Sequence, residues 1–202
     1  MKKYYKLVYG FGINDADYNV QKFDYHNGKC KRVWVCPIYV DWKSMLSRVF
    51  SKNVKTDNPS YIGTTICDEW KYFSNFRNWV LNVQPVKSFE NCQLDKDIII
   101  IDNKHYSPET CCYVPSVINS FITDRKGDRG LCMLGVSYMP SCDRYIAACN
   151  DPLSRYDKYS GCYKTEIEAH LAWKAKKHAY AQEILHLIDD PRAREALRVR
   201  YE

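Results

Sequence analysis

Three consecutive charged residues, Asp95, Lys96 and Asp97, have the side chains best suited to metal-ion chemistry in this sequence. They open the segment "LDKDIIIIDNKHYSPETCCYVPSVIN", which also carries His105. Carboxylate oxygens bind Mg²⁺ and similar ions, and a metal-bound water can attack a phosphodiester. Histidine titrates near neutral pH and can take a proton from that water. The segment therefore indicates a hydrolytic metal site, with His105 either its base or an exposed bystander in a turn.

The apolar run after the charged residues predicts a β-strand over "QLDKDIIII". Alternate residues of a strand share a face, so Asp95 and Asp97 are expected to form a carboxylate pair. The alternative is that they are the solvated start of the strand. A turn at Asp102-Asn103, a second short strand at "TCCYV" and a helix at "PSVINSFIT", beginning at Pro115, are expected to follow.

This strand–turn–strand–helix order resembles the ββα-metal centre of HNH-like homing endonucleases of phages. The residues that carry the resemblance are "LDKDI…SPETCCYVPSVIN", and upstream the stretch "YGFGINDADY" and the spacing W-x-x-M-L-x-R. The resemblance covers nearly the whole chain. It implies a divalent metal, Mg²⁺ or another, held by Asp95 and Asn119. It also places Lys96 at the position of the general-base histidine and Thr110 at that of the asparagine that orients it.

The lysine at the histidine position changes the expected chemistry. An unperturbed lysine stays protonated at neutral pH, and the neighbouring Asp95 and Asp97 favour its charged form. Lys96 is therefore expected to hold a phosphate or a carboxylate. Loss of general-base catalysis typically removes a factor of about a hundred to ten thousand in rate. An active site of this kind is expected to nick DNA slowly.

The last third of the chain predicts a three-stranded antiparallel sheet followed by one long helix. The strands are "LGVSYMP", "RYIAACND" and "YSGCYKT", at hairpin spacing. Thr165 and Glu168 form a capping box that opens the helix. One helix face is predicted to carry Ile167, Leu171, Ala175 and His178 or Ala179. Pro191 ends that helix, and "RAREALRVRYE" predicts a basic terminal helix.

The same module resembles the ethylene-response-factor (AP-two) type of DNA-binding domain, through "GVSYM", "RYIAACNDP" and "YSGCYKTEIEAHLAW". The resemblance implies that the exposed sheet face enters the major groove of double-stranded DNA. Carried over by position, the groove-facing residues are Ser137, Met139, Arg144, Ala148, Asn150 and Tyr159, and Arg144, Arg155 and Lys158 supply phosphate contacts. Several arginines of that family are replaced here by Ser137, Met139 and Asn150, which predicts weak sequence specificity.

The first ninety residues predict a hairpin and two helices. Asn27-Gly28 is a hairpin turn between "VQKFDY" and "CKRVWV". Trp42, Met45, Leu46 and Val49 stand at helical spacing. The second helix is expected over "CDEWKYFSNFRNWVLNV", with Asp68 as its cap. Trp70 and Trp79 in that helix are predicted to pack in the core.

The predicted fold class is α+β, with a helical and hairpin N-terminal part, a degenerate ββα-metal centre and a C-terminal three-stranded antiparallel sheet packed on one helix. The expected domains are 1–90, the ββα centre with its linker at 91–127, the DNA-binding module at 128–188 and the basic helix at 189–202. The charged stretch "DRKGDRG" is the expected linker.

Composition predicts a globular chain, since 46% of the residues are hydrophobic. The net charge of +6 suits a polyanionic partner. The longest apolar run, Ile98 to Ile101, is too short for a bilayer, and the first residues do not form a secretory signal. Residence in the cytoplasm, that of a bacterial host for a phage protein, and no membrane partner are expected. The ten cysteines, without a C-x-x-C pair, are then expected to be reduced and not to bind structural zinc.

Three functions stay open at this point. The first is a metal-dependent endonuclease or nickase that acts on double-stranded DNA through Asp95, Lys96, Asp97 and Asn119. The second is a catalytically inactive DNA-binding protein. The third is a phage accessory protein that inhibits a host defence complex.

Overall fold

The computed structural model of the chain describes residues 6–26, 28–86, 89–123, 131–154 and 156–202. The chain forms two compact units. Unit 1 comprises Met1–Gln84 and Asp102–Cys111, and unit 2 comprises Pro85–Ile101 and Cys112–Glu202. The boundaries of these two units differ from the boundaries of the four predicted domains. Asn27 of the predicted turn, Arg155 and the predicted linker at 124–130 lie outside the described residues.

The described residues contain nine strands and six α-helices. In chain order they are β1 (Gln21–His26), β2 (Lys29–Val35), α1 (Pro37–Phe50), α2 (Lys52–Asp57), β3 (Thr65–Ile66), α3 (Phe73–Asn82), β4 (Cys92–Asp95), β5 (His105–Tyr106), β6 (Cys112–Pro115), α4 (Ser116–Ile122), β7 (Val136–Met139), β8 (Arg144–Asn150), β9 (Lys158–Tyr163), α5 (Glu166–Ile184) and α6 (Pro191–Val199). Short 3₁₀ turns cover Pro59–Tyr61, Glu69–Lys71 and Leu185–Leu187. The mixture of helices with a separate antiparallel sheet confirms the α+β class.

The core of unit 1 is aromatic and lies between α1 and α3. Trp42 and Met45 of α1 are fully buried, as is Phe73 of α3. The Trp42 indole Nε1 donates a hydrogen bond of 2.7 Å to the carbonyl of Trp70. The rings of Trp70 and Trp79 lie 4.7 Å apart between centroids, and both are buried. The predicted core role of these two tryptophans is confirmed.

The helix expected from Asp68 begins later than predicted. Residues Glu69–Lys71 form a 3₁₀ turn, and the Asp68 side chain makes no capping hydrogen bond there. The α-helix starts at Phe73, after Tyr72 has adopted an extended backbone conformation. The Phe73 N–H donates to the carbonyl of Ile13, so a long-range backbone bond competes with helix continuation at this point.

Unit 1 also holds two small pairs of strands. β1 and β2 form an antiparallel ribbon with an irregularity between Lys22 and Phe23. The backbone N–H of Cys36 donates to the carbonyl of Val20 at the base of that ribbon, and both residues are buried. β3 pairs in parallel with β5. β5 lies in the second segment of unit 1, Asp102–Cys111.

Unit 2 begins with the predicted ββα order. β4 pairs antiparallel with β6, and α4 follows β6 directly. The predicted first strand is too long, however, because β4 ends at Asp95. Residues 96–102 form bends and turns, in which Ile98 is buried while Ile100 and Ile101 are exposed. The helix starts at Ser116, and Pro115 ends β6.

The rest of unit 2 is a three-stranded antiparallel sheet in the order β7-β8-β9, and α5 packs on it. One continuous core joins this layer to the ββα element. Its buried members include Ile98, Val114 and Ile118 from the ββα element, and Ala147, Trp173 and Leu197 from the remainder. The ββα element is therefore part of the same compact unit as the C-terminal sheet and helices.

The capping box of α5 is confirmed, and the helix face predicted to carry Ile167 and Leu171 is exposed. Thr165 Oγ1 accepts from the Glu168 N–H, and the Glu168 carboxylate accepts from the Thr165 N–H. Ile167 and Leu171 are 64% and 58% exposed. The buried residues are instead Ala169, Trp173, Tyr180, Ala181 and Ile184. Trp173 lies against the backbone of Gly135, where a Cβ would stand 2.2 Å from the indole ring.

None of the described helices is long and apolar enough to cross a membrane. All ten cysteines lie in the described part of the chain and are free thiols.

Candidate nucleic-acid interface and metal-ligand positions

Asp95 closes the turn that follows β4. It pairs with Cys112 in the strand register and is 7% exposed. Its Oδ1 accepts hydrogen bonds from the backbone N–H groups of Asp97, at 2.8 Å, and Ile98, at 2.7 Å. Burial raises the pKa of this carboxyl group, although the two backbone hydrogen bonds act in the opposite direction. Asp95 therefore has a structural role at the position where the resemblance implies a metal ligand.

Lys96 is buried and holds the Asp97 carboxylate. Its Nζ donates to both carboxylate oxygens of Asp97, at 2.6 and 2.7 Å. The side chain of Lys96 is 7% exposed and that of Asp97 is 42% exposed. This contact matches the expectation that Lys96 holds a carboxylate or a phosphate. Because β4 ends at Asp95, strand alternation does not place Asp97 beside it, and that premise of the carboxylate pair is wrong.

Asn119, in α4, contacts the sheet of the ββα element. Its Nδ2 donates to Gln93 Oε1 at 2.6 Å. Gln93 and Asp95 are two residues apart on β4, so their side chains leave the strand on the same face. Sequence reasoning missed Gln93, which its spacing of two from Asp95 could have indicated.

The fit of a metal to these positions is partial. Within the described residues, neither Asp95 Oδ2 nor Asn119 Oδ1 accepts a hydrogen bond. Mg²⁺ can be held by one or two carboxylates because it keeps several waters. In the described part of the chain, no three side chains of His, Cys, Asp or Glu are grouped as metal ligands. The available set is therefore one carboxylate and one amide oxygen.

His105 and Thr110 belong to unit 1, whereas Asp95, Lys96, Asp97 and Asn119 belong to unit 2. His105 lies in β5, and its Nδ1 is 2.8 Å from the hydroxyl of Thr65 on the paired strand β3. Thr110 Oγ1 donates to the carbonyl of His105 at 2.7 Å. Both side chains thus take part in the local hydrogen bonding of unit 1.

The outer face of the β7-β8-β9 sheet gathers most of the predicted DNA-facing residues. The inner face is identified by the buried residues Val136, Ala147 and Cys149, which face the core. Strand alternation then assigns six predicted residues to the opposite face: Ser137, Met139, Arg144, Ala148, Asn150 and Lys158. Met139 lies opposite Arg144, and Asn150 lies opposite Lys158. Within the described residues neither Arg144 nor Lys158 forms an ion pair.

The predicted facing of Tyr159 is wrong. Tyr159 lies opposite Cys149 in the register and packs against the core of unit 2. Its hydroxyl shares a hydrogen bond with that of Tyr163 on the same face. The hydrogen bond to Tyr163 and burial raise the pKa of Tyr159 to about 12. Alternation along β9 puts Lys158 outside and Tyr159 inside, so only one of these two neighbours can face a ligand.

The arginines of α6 and its C-terminal end are engaged within unit 2. Arg192 pairs with the buried Asp190, with Nη2 to Oδ2 at 2.7 Å. Arg194 donates to the carbonyl of Ile188, and Arg198 pairs with Glu195 and Glu202. Arg200 Nη1 donates to the carbonyl of Asp97 at 3.3 Å. This basic helix therefore contributes less free positive charge than its sequence suggests.

Comparison of the chain with family models, with curated proteins and with solved structures gave no match. The geometry of the chain itself is therefore the basis for its function.

Proposed function

We propose that this protein binds double-stranded DNA through the outer face of the β7-β8-β9 sheet. The observation that carries the proposal is that α5 covers one face of the sheet, while the other presents Arg144 and Lys158. Strands can enter the major groove, and cations without an ion-pair partner can contact phosphates. The expected place of this activity is the cytoplasm of a bacterial host.

The same proposal gives the ββα element a supporting role. Asp95 closes a turn, Lys96 binds the Asp97 carboxylate, and Ile98 enters the shared core. These contacts engage one oxygen of Asp95 and the amino group of Lys96, the two groups that a nuclease would use on metal and phosphate. The element thereby contributes to the core against which the sheet packs.

A binding titration with a short duplex at several salt concentrations tests this proposal. Affinity is expected to fall steeply with salt because phosphate contacts release counterions. Arg144→Ala and Lys158→Ala should each weaken binding and lower the slope of log K against log salt by about 1. Absence of binding at low salt, or an unchanged slope in both variants, would contradict the assignment of this face.

Tyr159→Ala provides the matched control, because Tyr159 is adjacent to Lys158 but faces the core. Removing a buried aromatic side chain typically costs about 3–5 kcal/mol, and this half-buried ring should cost somewhat less. We expect the midpoint of thermal unfolding to fall for Tyr159→Ala and to stay within error for Lys158→Ala. The reverse result would show that the two faces are exchanged.

Slow metal-dependent nicking of DNA is a second candidate. It is favoured by the two oxygens of Asp95 and Asn119 that accept no hydrogen bond within the described residues, and by the shared face of Asp95 and Gln93. A divalent ion at this position would supply an activated water and stabilise charge on the phosphate. Asp95 and Asn119 would hold it, while Lys96 would remain with Asp97 or contact a phosphate.

Conversion of supercoiled plasmid to nicked circles in Mg²⁺ or Mn²⁺, against a chelator control, tests this candidate. Asp95→Asn should abolish nicking while DNA binding persists, and Lys96→Ala should lower the rate less. Rapid cleavage that survives Asp95→Asn would place the chemistry elsewhere, with His105 as the next position to test. No nicking in either ion would leave DNA binding as the function.

A further inference from the structure

The ribbon of β1 and β2 exposes aromatic rings to solvent on both of its faces. All described residues from Lys22 to Trp34 are exposed. Phe23 is 49%, Tyr25 76% and Trp34 40% exposed. A two-stranded hairpin without a core face is marginally stable at best in water. These rings are therefore available to a partner.

The strand register sorts the ribbon side chains into two mixed faces. On one face Phe23 lies opposite Arg32, and Tyr25 lies opposite Cys30. The other face carries three pairs: Lys22 with Trp34, Asp24 with Lys31, and His26 with Lys29. The Lys22 Nζ lies 5.5 Å from the centroid of the Trp34 ring. Each face thus combines aromatic and cationic groups.

The ribbon carries more positive charge than its own carboxylate can balance. Its cations are Lys22, Lys29, Lys31 and Arg32, and its one carboxylate is Asp24. In the described part of the chain none of these four cations forms an ion pair. Cations without an ion-pair partner, beside exposed rings, suit a polyanion that also has flat groups to stack.

A groove of about 290 Å³ continues one face of the ribbon at its base. It is lined by Arg32 from β2 and by Lys43, Ser44 and Ser47 from α1, with Tyr9 and Tyr39 beside them. The described lining residues include two cations and four hydroxyl groups but no carboxylate. This chemistry suits a phosphate at the foot of the face that carries Phe23 and Tyr25.

We propose that the ribbon binds single-stranded nucleic acid, with unpaired bases stacked on Phe23 and Tyr25 and phosphates held by Arg32 and Lys43. Bases of a duplex already stack on each other and present only their edges in the grooves. Unpaired bases present whole π-faces, to which exposed aromatic side chains bind regardless of sequence. The proposal goes beyond the duplex-binding function, because it concerns other residues, in unit 1.

Anisotropy of labelled strands gives the readout of this interaction, and Trp34 reports on the opposite face of the ribbon. All five tryptophans lie among the described residues, and the other four are at most 5% exposed. We would titrate the full chain at low salt with oligo-dT, oligo-rU and a blunt duplex of equal length, and follow both tryptophan emission and anisotropy of labelled strands. The expected result is an anisotropy increase with both single strands and little change in Trp34 emission, because the strand register puts Trp34 on the face opposite Phe23 and Tyr25.

Two variants test the contacts. Phe23→Ala combined with Tyr25→Ala should weaken single-strand binding tenfold or more, since each stacked base contributes substantially. Lys43→Gln, outside the ribbon on α1, should weaken it severalfold and so tests the groove even if the double variant distorts the hairpin. The matched control is Arg144→Ala, which should leave single-strand affinity within twofold while lowering duplex affinity.

Unchanged anisotropy with both single strands would overturn the proposal and leave a protein as the occupant of the ribbon. Single-strand binding that is insensitive to both the Phe23/Tyr25 and the Lys43 variants would overturn it as well. If a ribbon variant loses binding to the duplex but keeps binding to single strands, unpaired bases are not the ligand of the ribbon. Failure of the sheet to bind duplex DNA would be detected separately, because Arg144→Ala would then leave duplex affinity unchanged.

Discussion

Two antiparallel strand pairs have opposite surroundings in this protein. The β4–β6 pair is covered by α4 and buries Asp95, Cys112 and Val114. The β1–β2 ribbon buries none of its described strand residues. The polar side chains at the end of β4 and just after it bind one another and the backbone, whereas the ribbon's cations have no ion-pair partner within the described residues.

The difference shows that residue type alone does not identify a functional surface. Asp95 and Lys96 are the residues that resemble a catalytic motif, but burial gives them structural contacts. Phe23 and Tyr25 match no motif, yet they are the side chains free to meet a ligand. Buried polar groups must be satisfied internally, and exposed ones can be satisfied by a partner.

Replacing Asp95 by alanine should have the largest effect on stability. The backbone N–H groups of Asp97 and Ile98 would lose their acceptor, and a buried unsatisfied donor costs about 1–3 kcal/mol. We expect the free energy of unfolding to fall by about 2–4 kcal/mol in urea titrations followed by circular dichroism. Asp24→Ala on the exposed ribbon is the matched control and should change it by less than about 0.5 kcal/mol. Equal losses of unfolding free energy in Asp95→Ala and Asp24→Ala would contradict the difference between the buried and the exposed strand pair.

Asp95→Asn should have a smaller effect that depends on pH. Burial raises the pKa of Asp95 in the folded state above the ordinary value of about 3.9. The folded state therefore binds more protons between these two pKa values, and the Asp95 contribution to stability increases as pH falls through that window. The variant keeps an acceptor oxygen but cannot titrate. On acidification from pH 7 to pH 4, it should lose more stability than the wild type.

The pKa of Asp190 is shifted in the opposite direction to that of Asp95, so Asp190 serves as an internal reference. Burial would raise its pKa, but hydrogen bonds from the Arg192 side chain and backbone outweigh burial and lower it. Its contribution is present above the unfolded-state pKa of about 3.9 and is lost as pH falls through the folded value. Asp190→Asn should therefore flatten the acid side of the stability profile. Parallel profiles for wild type and Asp95→Asn would place the Asp95 carboxylate in water.

Tyr25→Ala should have the smallest effect on stability. The ring is 76% exposed, and surface substitutions usually change the free energy of unfolding by less than about 0.5 kcal/mol. We expect an unchanged unfolding midpoint together with weaker single-strand binding. A loss comparable to that of Asp95→Ala would show that the ribbon is covered in solution.

Local patterns predicted much of the fold because their causes are local. The three strands and the capping box of unit 2 follow from alternation and from residues three positions apart. The length of β4 could not be predicted in this way. The Asp95 side chain competes for the N–H groups that would otherwise continue the strand, and nothing in the run of isoleucines indicates that competition.

The candidate site was less predictable because its arrangement depends on pairings distant in sequence. His105 follows Asp95 by only ten residues, but pairing of β5 with β3, forty residues earlier, places it in unit 1. Whether Tyr159 points to the core or to solvent depends on which alternate residues of β9 face inward. The family resemblance placed Tyr159 on the outer face, whereas the strand register places it on the inner face. The exposed faces of Ile167 and Leu171 likewise depend on where Trp173 meets Gly135.

The excursion of residues 102–111 into unit 1 has a consequence for how the chain is made. During synthesis from the N-terminus, β3 has no strand partner until β5 has emerged, since a fragment ending at Gln84 lacks it. By then β4 has been synthesised but β6 has not, so the first strand of unit 2 must wait unpaired. The order of translation therefore interleaves the completion of the two units. An uninterrupted segment of the gene that encodes all described strands of one unit therefore also encodes part of the other unit.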